Sequence, residues 1–180
     1  YEGLLQLRPD RRPFVITRAG FAGIQRYAAT WTGDNLVGWE SLALGLSMYQ
    51  SMGLSGQAFV GGALPGFIGR ADVELLVRSY EASCLVPLFR NHGAIDGYDH
   101  EPWRFGPQYE EIVRNYIRLR YRLLPYLYTC IEEAHREGVP VIRPLVFEFQ
   151  DDPGTAVLDD QFMIGSSLMA APVLRPGERG

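Results

Sequence analysis

From Phe14 to about Arg136 the chain alternates short apolar runs with amphipathic helical stretches, and each apolar run is followed by polar or glycine-rich residues. Phe14-Val15-Ile16 reads as a short buried strand and Tyr27 to Trp31 as a second. Trp39 to Met52 carries Leu42, Leu46, Tyr49 and Met52 at helical spacing, with Gly53 as a stop. Ser55 to Val60 returns to a strand, followed by a turn through Gly61-Gly62-Ala63-Leu64-Pro65-Gly66. Asp72 to Ala82 is a second helix, and Cys84 to Phe89 a further strand, ending at Arg90-Asn91-His92. After a loop over 93–106, the longest helix runs from about Pro107 to Arg136, with a kink expected at Pro125, which lacks an N–H.

Continuous apolar strands alternating with helices imply an α/β fold with parallel strands buried on both faces. The polar clusters Arg18-Ala19-Gly20, Thr32-Gly33-Asp34-Asn35, Gly61-Gly62 and Arg90-Asn91-His92 all follow strands. In a (β/α) barrel those strand ends form one face, where catalysis sits. After Gly138 the texture changes. Val139 to Phe149 and Phe162 to Leu174 are extended and punctuated by proline, without a helical stripe. The division expected is therefore 1–137 for the alternating region and 138–180 for the start of a β-rich domain. A closed eight-stranded barrel needs ~200–250 residues, so the strands here make about half of one. Open strands of that kind expose edges and apolar surface, and the chain on its own is expected to associate.

Composition removes several functions. The net charge of −4 and pI near 5.4 give no basic footprint for nucleic acid. All 17 basic residues are arginine, and the local excess around 114–122 reads as a solvated helix face. The three histidines, His92, His100 and His135, lack metal-ligand spacing. Cys84 and Cys130 lack a CxxC spacing and read as buried thiols, with a disulfide as the alternative. No apolar run is long enough to span a membrane. No signal-peptide pattern follows Tyr1, which says nothing of a longer gene product.

Asp34 carries the most chemistry. Trp31 precedes it by three residues, Gly33 adjoins it, and Arg18 lies one segment upstream. A carboxyl beside an aromatic and an arginine suits acid catalysis at a sugar ring. On spacing alone, however, Asp34 reads first as the N-cap of the helix that follows.

Eight ordered segments resemble glycoside hydrolase family 31, the α-glucosidase and α-xylosidase family, in the C-terminal half of its catalytic barrel. They are Arg12-Pro13-Phe14-Val15-Ile16-Thr17-Arg18, Trp31-Thr32-Gly33-Asp34-Asn35, Phe59-Val60-Gly61 with Gly66-Phe67, Pro87-Leu88-Phe89-Arg90-Asn91-His92, Glu101-Pro102-Trp103, Leu123-Leu124-Pro125-Tyr126-Leu127-Tyr128, Val141-Ile142-Arg143-Pro144-Leu145, and Asp160-Gln161-Phe162-Met163 with Ala171-Pro172-Val173. The resemblance implies the C-terminal part of a (β/α)8 TIM barrel leading into a β-rich, sandwich-like C-terminal domain. It implies a retaining α-glycosidase acting on terminal non-reducing α-linked glucose, with an oligosaccharide or α-glucoside as substrate and no cofactor or metal.

By the same resemblance Asp34 is the general acid/base. Arg18 and His92 bind sugar hydroxyls, and Trp31 and Phe67 wall the ring. The residue-level alternatives are a surface salt bridge for Arg18, a packed structural ring for His92, and plain core packing for Trp31 and Phe67. His100, Glu101 and Trp103 read as loop architecture. Two departures stand out. The family's nucleophile lies in a Trp-x-Asp-Met-Asn-like motif, and none occurs here. The acid/base half therefore needs the N-terminal half of its barrel. The second departure is Ala63, where the family carries an aspartate that orients the Arg18-type residue. α-Xylosidase, transglycosylase or lyase variants, and a non-catalytic carbohydrate-binding homologue, are the alternatives. Compartment is not legible.

Overall fold

The computed structural model describes residues 1–95, 97 and 99–179. A short helix, α1 (Glu2–Leu7), precedes strand β1 (Ile16–Thr17), and a 3-10 turn at Ile24–Arg26 leads to β2 (Ala29–Trp31). Helix α2 (Trp39–Leu54) connects to β3 (Val60–Leu64), and α3 (Val73–Ser83) to β4 (Leu88–Asn91). The four strands pair in chain order, all parallel, with Thr30 beside Val60 and Ala63 beside Arg90. Helix α4 (Pro107–Glu137) follows, and then β5 (Ile142–Pro144), the single turn α5 (Leu145–Glu148), β6 (Phe162–Ile164) and β7 (Leu168–Ala170). The last three strands form an antiparallel sheet in the order β5-β6-β7.

Local chemistry accounts for the helix ends. The Asp72 carboxylate accepts the Leu75 N–H at 2.8 Å and caps α3. Pro107 starts α4, and Gly138, with φ of 75°, ends it in the left-handed region. Pro125 lies inside α4 without dividing it.

The parallel sheet and the antiparallel sheet share one core. Leu46 of α2, Val60 of β3, Leu76 of α3 and Val113 of α4 are buried in a cluster that continues through Ile142, Phe162 and Ile164. Two polar anchors join these parts, and a third holds α4 to the parallel sheet. The Gln50 amide of α2 donates to the Asp159 carbonyl at 2.9 Å, and the Tyr126 hydroxyl of α4 donates to the Ile164 carbonyl at 2.6 Å. Arg120 of α4 donates to the carbonyls of Cys84, Val86 and Pro87 at 3.2, 2.5 and 2.6 Å, which ties the helix to the entry of β4. Cys84 and Cys130 are free, buried thiols, and burial pushes Cys84 up to about 12.

Several elements differ from the sequence reading. The first strand is Ile16–Thr17, and Phe14 is 59% exposed rather than buried. Its strand is paired on one side only, with β2, so its apolar residues have cover from one neighbour. The glycine-rich stretch is no turn: Val60–Leu64 is the central strand β3, buried throughout. A Cβ on Gly62 would fall 2.0 Å from the Tyr49 hydroxyl of α2, so the strand needs glycine there for helix and sheet to approach. The strand expected at Cys84–Phe89 lies at Leu88–Asn91, and α5 interrupts the segment expected to be wholly extended.

Arg120→Met removes three charge-assisted hydrogen bonds and leaves buried carbonyls without a donor. It is expected to lower stability by roughly 2–3 kcal/mol, read as a lower midpoint in denaturant unfolding with an unchanged slope.

Candidate active site

The loops that leave the C-terminal ends of the four parallel strands carry the polar residues. Arg18 follows β1, Trp31 closes β2 and Asp34 lies just beyond it, Phe67 follows β3, and His92 follows β4. Alternation along the strands decides which side chains share a face. Asn91 donates to the Tyr80 hydroxyl of α3 at 2.8 Å, and Gly62 lies against Tyr49 of α2, so both face the helices. Gly61, Ala63, Leu88 and Arg90 therefore face the other way, with Trp31 beside Gly61 in register.

Trp31 organises the first group of residues. Its indole N–H donates to the Gly33 carbonyl at 2.8 Å, across a turn in which Gly33 has φ of 91°. The guanidinium carbons of Arg18 and Arg90 lie 5.8 and 5.0 Å from its ring centroid. Arg18 also sits 3.6 Å from an Asp34 carboxylate oxygen, with side chains 61% and 29% exposed respectively. A pair so open to water contributes little to stability. It places the carboxylate beside the arginine, just beyond the end of β2.

Asp34 is not a helix cap. Helix α2 begins at Trp39, and its N-cap is Gly38 with no side-chain hydrogen bond. The N-cap reading fails because four residues, Asn35 to Gly38, separate the carboxylate from the helix. Asn35 to Val37 pair instead with the next loop. The Asn35 carbonyl accepts from Phe67 N at 2.8 Å and Ile68 N at 3.1 Å, and Val37 N donates to the Ile68 carbonyl at 2.8 Å. The Phe67 carbonyl in turn accepts from Ala94 N at 3.0 Å. The loops after β2, β3 and β4 are thus stitched together through Phe67. Gly66, with φ of 152°, permits this: a Cβ there would meet the Leu36 carbonyl at 2.6 Å.

Phe67 and His92 form the second group, with ring centroids 4.8 Å apart and planes at 32°. Both are half-buried. The His92 Nδ1 is buried without a hydrogen-bond partner. A buried ring nitrogen left unpaired is costly, and a hydroxyl from a bound molecule would offset that cost. Arg18 contacts both Trp31 and Asp34, and the loop that bears Phe67, against which His92 packs, adjoins them through the Asn35–Phe67 hydrogen bond. Arg90 belongs to the first group, which the sequence reading did not single out. Its position two residues before His92, at the end of a strand, was the available clue, because such spacing puts residues on one face.

Among the residues read as loop architecture, His100 is 5% exposed and Trp103 is 64% exposed. The His100 carbonyl accepts from Asn91 Nδ2 at 2.7 Å and the Tyr80 hydroxyl at 3.2 Å, which secures the end of β4. Among the described residues no three His, Cys, Asp or Glu side chains gather as metal ligands, and no helix is long and apolar enough to cross a membrane.

Residues 1–130 match the glycosyl hydrolases family 31 TIM-barrel domain, and residues 138–180 match the glycosyl hydrolase family 31 C-terminal domain. The chain belongs to glycoside hydrolase family 31, as part of its TIM barrel leading into its C-terminal domain. It is 50% identical over 98% of its length to alpha-glucosidase 2 of Bacillus thermoamyloliquefaciens, spanning 22% of that protein. It superposes on the glucosidase II alpha subunit bound to Glc1Man2 with a TM-score of 0.95 at 41% identity, covering 99% of this chain and 20% of that one. It is also similar to an alpha-xylosidase from a soil metagenome complexed with xylose, with a TM-score of 0.91 at 31% identity over 99% of this chain and 30% of that one. The chain spans about a fifth of the length of the curated relatives it matches.

Burial lowers the pKa of His100 below its ordinary 6.5, while the charges of Glu101 and Asp99 oppose that shift. The unfolded chain therefore takes up this proton first as pH falls. The stability that neutral His100 preserves is complete above about 6.5 and is lost progressively below it. His100→Gln is expected to flatten the fall in melting temperature between neutral pH and pH ~5, read by thermal melts of both proteins across that range.

Proposed function

We propose that this chain carries the acid/base half of the active site of a retaining α-glycosidase that removes terminal non-reducing α-linked glucose. The observation that carries the reading is the position of Asp34. It leaves the end of a parallel strand, caps no helix, and contacts Arg18 beside the Trp31 indole. The alpha-glucosidase names of the relatives favour glucose as the sugar.

In this reading Asp34 donates a proton to the departing glycosidic oxygen while a nucleophilic carboxylate attacks the anomeric carbon from the opposite face. It then withdraws a proton from the water that releases the sugar. The nucleophile comes from outside these 180 residues, since the two carboxyl groups must stand about 5–5.5 Å apart and this sequence lacks the motif that would supply it. Arg18 and His92 hydrogen-bond sugar hydroxyls, and His92 has an unpaired nitrogen to offer. Trp31 and Phe67 wall the ring. Two carboxyl groups suffice for this reaction without a cofactor. The same reading divides the chain at 137/138, where Gly138 ends α4. An α-xylosidase is the second reading, favoured by the likeness to the xylose-bound structure.

Asp34→Asn in the complete protein is expected to lower turnover of maltose by a factor on the order of 10²–10⁴, with an unchanged melting temperature. Steady-state kinetics beside thermal unfolding checks it. Unaltered turnover removes Asp34 from the chemistry, and faster hydrolysis of α-xylosides than of α-glucosides by the unmodified protein selects the second reading.

A further inference from the structure

Arg90 is left over by the mechanism. It projects from β4 onto the face opposite the helices, directly across from Ala63, whose methyl group offers no charge. Among the described residues Arg90 enters no ion pair, and its recorded partner is the Trp31 ring, at 5.0 Å from the centroid. That is closer than Arg18, at 5.8 Å, which divides its interactions between the ring and Asp34. A guanidinium over an indole is held by cation–π attraction. The indole so held is the one whose N–H fixes the Gly33 carbonyl at 2.8 Å, in the peptide that joins Gly33 to Asp34.

We propose that Arg90 is a positioning residue for the acid: it fixes the Trp31 ring, and through the Trp31–Gly33 hydrogen bond it sets where the Asp34 carboxyl stands. The chain of contacts is short and each link is local, from β4 to β2 to the turn that bears the carboxyl. Asp34 is 29% exposed and its recorded ion-pair partner, Arg18, is 61% exposed. Solvent-facing partners of that kind hold a carboxyl loosely, so the turn itself must supply the precision. A misplacement of about 1 Å in a catalytic group can cost on the order of a hundredfold in rate. The inference rests on Asp34 acting as the general acid.

The test compares two substrates of the complete protein, phenyl α-glucoside, whose departure needs a proton, and α-glucosyl fluoride, whose departure needs little help. Asp34→Ala serves as the reference, and kcat/KM is measured because it reports the bond-breaking step. Arg90→Met is expected to lower kcat/KM for the phenyl glucoside by about tenfold or more while changing the fluoride by less than about threefold. Trp31→Phe, which keeps a ring for Arg90 but removes the N–H to Gly33, should shift the same ratio in the same direction. The double variant should lose little more than either single one, since both act through one relay. Arg90→Lys, which keeps the charge but not the delocalised guanidinium, should fall between.

Equal losses on both substrates in the Arg90 variants, with Asp34→Ala still separating the two, overturn the role of Arg90 alone. If Asp34→Ala does not separate them, the assignment of the acid fails and the inference falls with it. Should Arg90→Met not fold, Arg90→Lys and Trp31→Phe carry the same comparison, and an unchanged substrate ratio in both overturns the proposal.

Discussion

The site depends on backbone hydrogen bonds that meet at Phe67. Its N–H reaches the Asn35 carbonyl and its own carbonyl receives the Ala94 N–H, so three loops from three strands are held in one register. Parallel strands place their C-terminal ends on one face, but they do not by themselves fix the loops beyond those ends. Phe67 supplies that fixation from its peptide while its ring stacks on His92. One residue therefore joins the loop that bears Asp34 to the ring with an unpaired nitrogen.

A second constraint comes from the pleat. Alternation sends Gly62 and Asn91 toward α2 and α3, and so sends Ala63 and Arg90 toward the opposite face, where Trp31 stands. The helix-facing residues are satisfied by tyrosines: Tyr49 fills the space that glycine leaves, and Tyr80 binds Asn91. Burial pushes both phenols up to about 12, against the opposing hydrogen bonds from Thr32 and Asn91, so they stay neutral at ordinary pH. The scaffold side of the sheet is thereby inert, and the charged groups Arg18, Asp34 and Arg90 belong to the other side.

Much of this was legible in the sequence. The alternation of strands and helices, the polar strand ends, the helices near 72–82 and 107–136 and the change of texture after Gly138 all follow from local patterns. The strand boundaries did not, for a single physical reason. Hydrophobicity marks the part of a strand that helices cover, whereas the site is built on the part that they do not. Cys84 to Val86 drew the reading toward the start of β4, although Arg90 and Asn91 complete its hydrogen bonding. Gly61 and Gly62 read as a turn because the need for them, close approaches of the Leu88 backbone and of the Tyr49 hydroxyl, lies elsewhere in the sequence. Asp34 read first as a cap because spacing cannot reveal that Asn35 to Val37 are engaged with another loop. The family resemblance supplied the roles of Asp34, Arg18, Trp31, Phe67 and His92; the geometry adds the partners of each, and Arg90.

The central claim is that Asp34 occupies the face of the sugar opposite the nucleophile. Removing its side chain opens space on that face for a small anion. The direct measurement is the anomeric configuration of the product formed by Asp34→Ala, in the complete protein, from α-glucosyl fluoride in the presence of azide. The account predicts α-glucosyl azide, because azide entering the vacated space attacks the covalent intermediate from the side that water normally uses. Formation of the β-azide, or hydrolysis unaffected by azide, would contradict it.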